Sequence, residues 1–218
     1  MKLYYFESPN PRKPCAVARY LELPMDFVRI DLARGEHQSP EFLAVNPNGK
    51  VPAMQDGEVK LWESHAIMAY LARMAGSDLW PEDDFKKIDV TKWLTWDMAH
   101  FSRHAGALIF QNVIKPDLFG EQPDSAAVEE STGFFHKFAK VLDDYLAGRD
   151  NLVGDSITIA DFGVAASLPM AEQAMLPVAG YGNILRWHDR LNELEAWRSP
   201  FPEMPLANVQ PVDMAKAS

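Results

Sequence analysis

Only one cysteine, Cys15, occurs in the 218 residues, so no internal disulfide can form. No Cys-x-x-Cys pair and no Cys/His cluster has zinc-site spacing, and no metal is expected. Nowhere does an apolar run reach the roughly 18 residues of a membrane span. Basic residues are the scarcer sign, 21 Lys and Arg against 31 Asp and Glu, for a net charge of −10. That balance argues against nucleic acid or an anionic membrane as the main partner, while leaving room for a local basic pocket that holds a small anion. The opening Met-Lys-Leu-Tyr-Tyr-Phe has neither the long apolar core nor the cleavage site of a secretory signal. Together these absences point to a reducing cytoplasm. What remains, 47% hydrophobic and 24% charged, is an ordinary globular composition without internal repeats, long enough to bury a substantial core.

Taken in order, residues 2–6 read as a short strand and residues 7–14 (ESPNPRKP) as a proline-rich turn. A helix follows over 15–23, with Val17, Ala18 and Leu21 at helical spacing. Residues 25–32 alternate and read as a second strand, which makes a βαβ unit with parallel strands. Pro40 to Leu43 is a helical turn. Residues 53–55 and 59–62 flank Asp56-Gly57, a hairpin signal, and a helix over 64–74 follows with Ser64 as its N-cap. Residues 1–75 therefore form a small α/β domain with a mixed four-stranded sheet. The Gly-, Ser- and Pro-containing stretch 76–84 reads as a linker. Residues 85–218 read as an all-α domain: one long helix over 85–113, a loop over 115–124, a second long helix over 125–146, and a last helix over 181–194. Thr158 and Asp161 have the spacing of a capping box, with Ile157 and Phe162 as a hydrophobic staple. The tail from Ser199 is expected to lie on the surface.

The stretch Asn46-Pro47-Asn48-Gly49-Lys50-Val51-Pro52 organises the rest. Asn-Gly is a turn signal, because both residues tolerate positive φ. Proline forces Val51 into an extended conformation, and an X-Pro bond is the one peptide bond that can be cis at modest cost, about 0.5–1 kcal/mol. In that arrangement the N–H and C=O of Val51 can pair with an extended peptide as an added strand. An ordinary proline-containing entry to the hairpin explains the same residues.

Three motifs in order resemble the cytosolic glutathione S-transferases, closest to theta-, phi- and nu-like bacterial members. Asn46 to Pro52 resembles the cis-proline loop of that family, Glu63-Ser64 its glutathione motif, and Thr158-Ile-Ala-Asp161 its capping box; residues 35–42 (GEHQSPEF) are similar as well. The resemblance implies an α/β thioredoxin-like N-terminal domain, βαβ–ββα, plus an all-α C-terminal domain. It implies glutathione as cosubstrate, a hydrophobic electrophile as partner, and a homodimer.

Glutathione carries two carboxylates, an ammonium and a thiol. By resemblance, Ser64 and the helix start hold the γ-Glu carboxylate, Glu63 its ammonium, Val51 and Pro52 the Cys backbone, and Lys50 with His37 the Gly carboxylate. Ser8 is expected to donate to the thiolate, with Asn10 as second donor or replacement. Arg12 and Lys13 are expected to add positive field there, and Cys15 to be a small buried hydrophobe. Trp96, His100, Phe101 and His104, at i, i+4, i+5 and i+8 on one helix, are expected to line an electrophile pocket between the domains. An aromatic core stripe explains the same spacing. Asp97 is placed to reach a partner subunit's γ-Glu ammonium. Glutathione-dependent disulfide reduction, or ligand binding without catalysis, fits the same residues.

Overall fold

The structure, a computed structural model, describes residues 1–202. Four strands make one mixed sheet in the order β2-β1-β3-β4. Strand β1 (Lys2–Tyr5) runs parallel to β2 (Asp26–Arg29) and antiparallel to β3 (Ala53–Asp56), which forms a hairpin with β4 (Val59–Trp62). Side-chain alternation along β1 serves both faces. Leu3 and Tyr5 enter the main core, while Tyr4 packs with Ile30, Phe42 and Ala53 in a smaller cluster on the other face. Phe42 is supplied by α2 (Pro40–Leu43), where Ser39 caps the helix by accepting from the Phe42 N–H.

Helix α1 (Pro9–Tyr20) starts six residues before the expected position. The three prolines at 9, 11 and 14 look like a turn in the sequence. Pro9 and Pro11 instead occupy the first helical turn, where no N–H is needed, and Pro14 is tolerated inside. Helix α3 (Ser64–Met74) has the expected bounds, but its N-cap position is Glu63, not Ser64.

The second part is helical. Helix α4 (Asp84–Trp96), a π turn (Asp97–Phe101), α5 (Ser102–Ile109), a second π turn (Phe110–Ile114) and α6 (Lys115–Phe119) form one continuous helical path. The expected loop from residue 115 is therefore helical as far as Phe119. Helix α7 (Ser125–Tyr145) packs back on α5, and α8 (Ile159–Val164) inserts against α3 and α4. A Cβ on Gly163 would meet the Leu94 side chain at 2.5 Å, so only glycine permits that approach. A 3₁₀ segment (Ala165–Met170), α9 (Gly182–Leu191) and a short α10 (Glu195–Arg198) complete the described chain. Of the tail expected on the surface, residues 203–218 lie outside the described residues. The sheet and the helical part share one continuous apolar core, from Leu3 and Met54 to Phe162 and Trp187.

The capping box is present. The Ala160 N–H donates to Thr158 Oγ1, and the Thr158 N–H donates to Asp161 Oδ2 at 2.9 Å. Asp161 also accepts from the Leu152 N–H and from Trp187 Nε1, so one fully buried carboxylate ties the α7–α8 connection to α9. Thr158→Ala is expected to lower stability by about 1 kcal/mol. Urea unfolding monitored by tryptophan fluorescence checks this, and an unchanged midpoint would remove the role of the cap.

Candidate active site

Ser8 and Asn10, and Glu63 and Ser64, sit where a strand gives way to a helix, while Lys50, Val51 and Pro52 lie in the loop that leads into β3. Ser8 is the N-cap of α1, with φ −150° and ψ 166°, yet its side chain makes no capping hydrogen bond. The reason lies in the next residues. An N-cap hydroxyl accepts from the N–H groups two or three positions on, and the third is Pro11. Pro9 and Pro11 leave Asn10 as the one residue of the first three with a backbone N–H. Among the described residues Ser8 Oγ has no partner, and Asn10 is exposed. The neighbouring Glu7 is held by Arg29, whose Nε donates to both carboxylate oxygens at 2.7 and 3.0 Å.

The Val51-Pro52 peptide bond is cis. Asn46 is buried and organises this loop. Its amide donates to the Lys50 carbonyl at 2.6 Å, and its Oδ1 accepts from the backbone and side chain of Asn48. Gly49 has φ +60°, and a Cβ there would lie 2.5 Å from Gln38 Nε2. Gln38 ends a 3₁₀ turn (Glu36–Gln38), so His37 and Lys50 are carried by two segments in contact. Lys50 is exposed, and His37 Nδ1 is buried without a partner among the described residues.

At the start of α3, Glu63 adopts φ +71° and ψ 117°, outside the regions favoured by non-glycine residues. A backbone held in such a conformation is a common mark of a functional site. Ser64 is 7% exposed, and its hydroxyl makes no hydrogen bond among the described residues. Because the Ile67 N–H bonds to the Glu63 carbonyl, the N–H groups of 64, 65 and 66 have no partner within the helix. Such unpaired N–H groups at a helix start are the kind that suit an anion.

Lys13 departs from expectation. It is buried and supplies no free positive field at the helix start. Its Nζ donates to Asp97 Oδ2 at 3.1 Å and lies 3.2 Å from His65 Nε2. An ammonium has no acceptor, so His65 Nε2 accepts from it. Asp97 Oδ1 accepts from the Ser102 hydroxyl at 2.6 Å. Burial pushes the Asp97 carboxyl up, but Lys13 and the hydrogen bonds outweigh it, and the group lies below the ordinary carboxylate value. Burial lowers His65, which is therefore neutral near pH 7. Asp97 is 0% exposed, which corrects its expected reach toward a partner subunit. It is enclosed by its own chain, binding the helices that carry Asn10 and Ser64 to the helical domain. Sequence spacing gave no signal for this group, because Lys13 and Asp97 are 84 residues apart. Arg12 likewise turns away from the helix start, donating to the Trp197 carbonyl at 2.7 Å.

Cys15 is fully buried, as expected, and burial pushes its thiol well above the ordinary value. Tyr5 is buried and Tyr4 half-buried within β1. The aromatic stripe packs along α7. Phe101 is 0% exposed, stacked on Trp96 at 5.9 Å and tilted against Phe135 at 5.1 Å. His100 stacks on Phe138 and His104 on Phe134, both at 4.6 Å, so the stripe packs along α7, while Trp96, His100 and His104 stay partly exposed. The i, i+4, i+5 and i+8 spacing places them on one side of the helix, with Phe101 buried and the other three partly exposed.

Among the described residues no cluster of His, Cys, Asp or Glu can hold a metal, and no helix is long and apolar enough to cross a membrane. Comparison with known proteins adds a second line. Residues 1–73 match the glutathione S-transferase N-terminal domain, and residues 101–195 match the C-terminal domain. Glutathione S-transferase 3 of Zea mays is 36% identical over 218 residues, covering 94% of this chain and 95% of its own. Glutathione S-transferase F10 of Arabidopsis thaliana is 33% identical, covering 84% and 88%. Among solved structures, glutathione S-transferase III in apo form superposes with a TM-score of 0.79 at 32% identity, covering 94% of this chain and 99% of its own. Glutathione S-transferase-I bound with lactoylglutathione gives 0.83 at 27% identity, with 91% and 97% covered.

Proposed function

The chain belongs to the glutathione S-transferase family and is an enzyme that uses glutathione as cosubstrate, and on that premise we propose how its own residues divide the work. The carrying observation is a pair of serine hydroxyls, Ser8 and Ser64, each at a helix start and each without a partner among the described residues. Ser64 Oγ and the N–H groups of 64–66 bind the γ-Glu carboxylate, and Glu63 takes the ammonium. Val51 pairs its N–H and C=O with the Cys residue, beside Pro52. Lys50 and His37 hold the Gly carboxylate. Ser8 donates to the sulfur, with the Asn10 amide as second donor.

A free thiol has a pKa near 8.5, so little thiolate exists at neutral pH. Donors aimed at the sulfur favour the charged form, and the thiol proton leaves to solvent. The thiolate then attacks an apolar electrophile, forming a C–S bond as a leaving group departs or a double bond is saturated. Attack on a disulfide sulfur, with expulsion of the other thiolate, uses the same residues, and substrate profiling separates the two. The subclass reading is theta/phi/nu-like, the domains are taken as 1–75 and 85–218 joined by 76–84, and the setting is the cytoplasm. A homodimer is proposed, supported by exposed apolar side chains at Trp62, Phe85, Ile88 and Met98.

Ser64→Ala removes one hydrogen bond to a bound carboxylate. It is expected to raise KM for glutathione about tenfold, in line with charge-assisted bonds of roughly 1.5–3 kcal/mol, and to leave the melting temperature unchanged. Steady-state kinetics with varied glutathione test it. An unchanged KM means that Ser64 only starts the helix.

A further inference from the structure

Ser8 Oγ has no partner among the described residues, so the backbone on either side sets its position. After it comes α1. Before it lies a three-residue turn with Glu7 at the centre, in which the Ser8 N–H donates to the Phe6 carbonyl at 2.7 Å. Glu7 is thus the acid next to the proposed thiol donor, at the positive start of a helix. A negative charge there opposes a thiolate. Its field reaches sulfur within α1: burial does most to raise the Cys15 thiol, and Glu7 raises it further.

Arg29 answers that charge from the neighbouring strand. Its Nε donates to both Glu7 oxygens, at 2.7 and 3.0 Å, and its guanidinium carbon lies 5.0 Å from the centroid of the Phe6 ring. Two of the three turn residues are therefore gripped by one side chain. That side chain starts from a fixed point, because Arg29 is in register with Tyr5 and the Ile30 N–H donates to the Tyr5 carbonyl at 2.8 Å. The cations at the start of α1 are committed elsewhere: Arg12 donates to the Trp197 carbonyl, and Lys13 pairs with Asp97. Asp31, the other acid acting on Arg29, accepts from the Arg34 N–H at 3.1 Å. At 33% and 32% exposure the Arg29–Glu7 pair adds little to stability.

We propose, given Ser8 as the thiol donor, that Arg29 is a positioning residue for the thiol chemistry: it holds the Glu7 carboxylate toward β2, and so leaves the start of α1 and the Ser8 hydroxyl to the sulfur anion. Without Arg29, the carboxylate is drawn to the positive helix start. There it competes with the sulfur for the Ser8 hydroxyl and the Asn10 N–H, and its charge disfavours the thiolate. Loss of Arg29 therefore acts through Glu7, and removing the Glu7 charge as well reverses it.

Arg29→Met, Glu7→Gln and the double variant test this, by steady-state kinetics and by the ultraviolet thiolate absorbance of bound glutathione against pH. In Arg29→Met the bound thiol is expected to titrate about one pH unit above the unaltered enzyme, and kcat at neutral pH to fall about tenfold, with KM for glutathione within a few-fold. The double variant is expected to regain most of both. A merely structural pair would leave the double variant as slow as Arg29→Met or slower, and that result would overturn the proposal, as would an unshifted thiol in Arg29→Met. Glu7→Gln alone is expected to titrate at or below the unaltered value; a higher value rules the proposal out even where Arg29→Met fails to fold. Ser8→Ala at full turnover would remove the donor reading and this one together. A slow Ser8→Ala beside an unaffected Arg29→Met would remove this one alone.

Discussion

Lys13→Met is expected to lower stability by about 3–5 kcal/mol, the range for breaking one side of a buried ion pair. Among the described residues its ammonium is the only charged partner of Asp97, and both side chains are 2% exposed or less. With Lys13 gone, Asp97 keeps the Ser102 hydroxyl and a neutral His65, too little to offset burial of a full charge. For a chain of this size such a loss corresponds to a melting temperature about ten degrees lower. Function is expected to follow, because the pair holds α1 three residues past Asn10 and, through His65, holds α3 one residue past Ser64. Adding Asp97→Asn removes the orphaned charge and is expected to recover most of the stability. Thermal melts of both variants check this. A single variant within about 0.5 kcal/mol of the parent would mean that water or a rearranged neighbour pairs Asp97.

Ser8→Ala is expected to lower kcat about a hundredfold while KM for glutathione stays within a few-fold. The comparison is with deletion of one preorganised donor to a developing anion, which costs about 10²–10³ in rate. Binding is spared because the proposed carboxylate and backbone contacts come from other segments. The hydroxyl is available because Pro11 removes an N–H that a capping serine would serve. Asn10→Ala is expected to have a smaller effect. If Asn10→Ala shows the large loss and Ser8→Ala does not, the two donors are reversed; if neither variant slows turnover, the sulfur is activated elsewhere.

Local chemistry made much of this fold legible. The Asp56-Gly57 hairpin, helix α3, the Thr158–Asp161 box and the loop at Asn46 to Pro52 each carry their signal within a few residues. The start of α1 is not legible in sequence, because prolines at 9, 11 and 14 suit a turn and the beginning of a helix equally well, and only packing distinguishes them. The continuation to Phe119 is masked by Pro116, which looks like a stop but is tolerated at the start of α6. The contacts of Lys13 and Asp97 were hidden for another reason. A lysine after two prolines and an acid on a helix both look solvated until two distant helices are brought together. The aromatic stripe shows the converse limit, since periodicity gives a face but not what covers it.

The most direct test of the central claim is the ultraviolet thiolate absorbance of glutathione bound to the unaltered enzyme, followed against pH. Donors at Ser8 and Asn10 predict a bound thiol that ionises at least about one pKa unit below the free value of roughly 8.5, a difference of about 1.4 kcal/mol. A bound thiol that titrates at the free value would contradict the account.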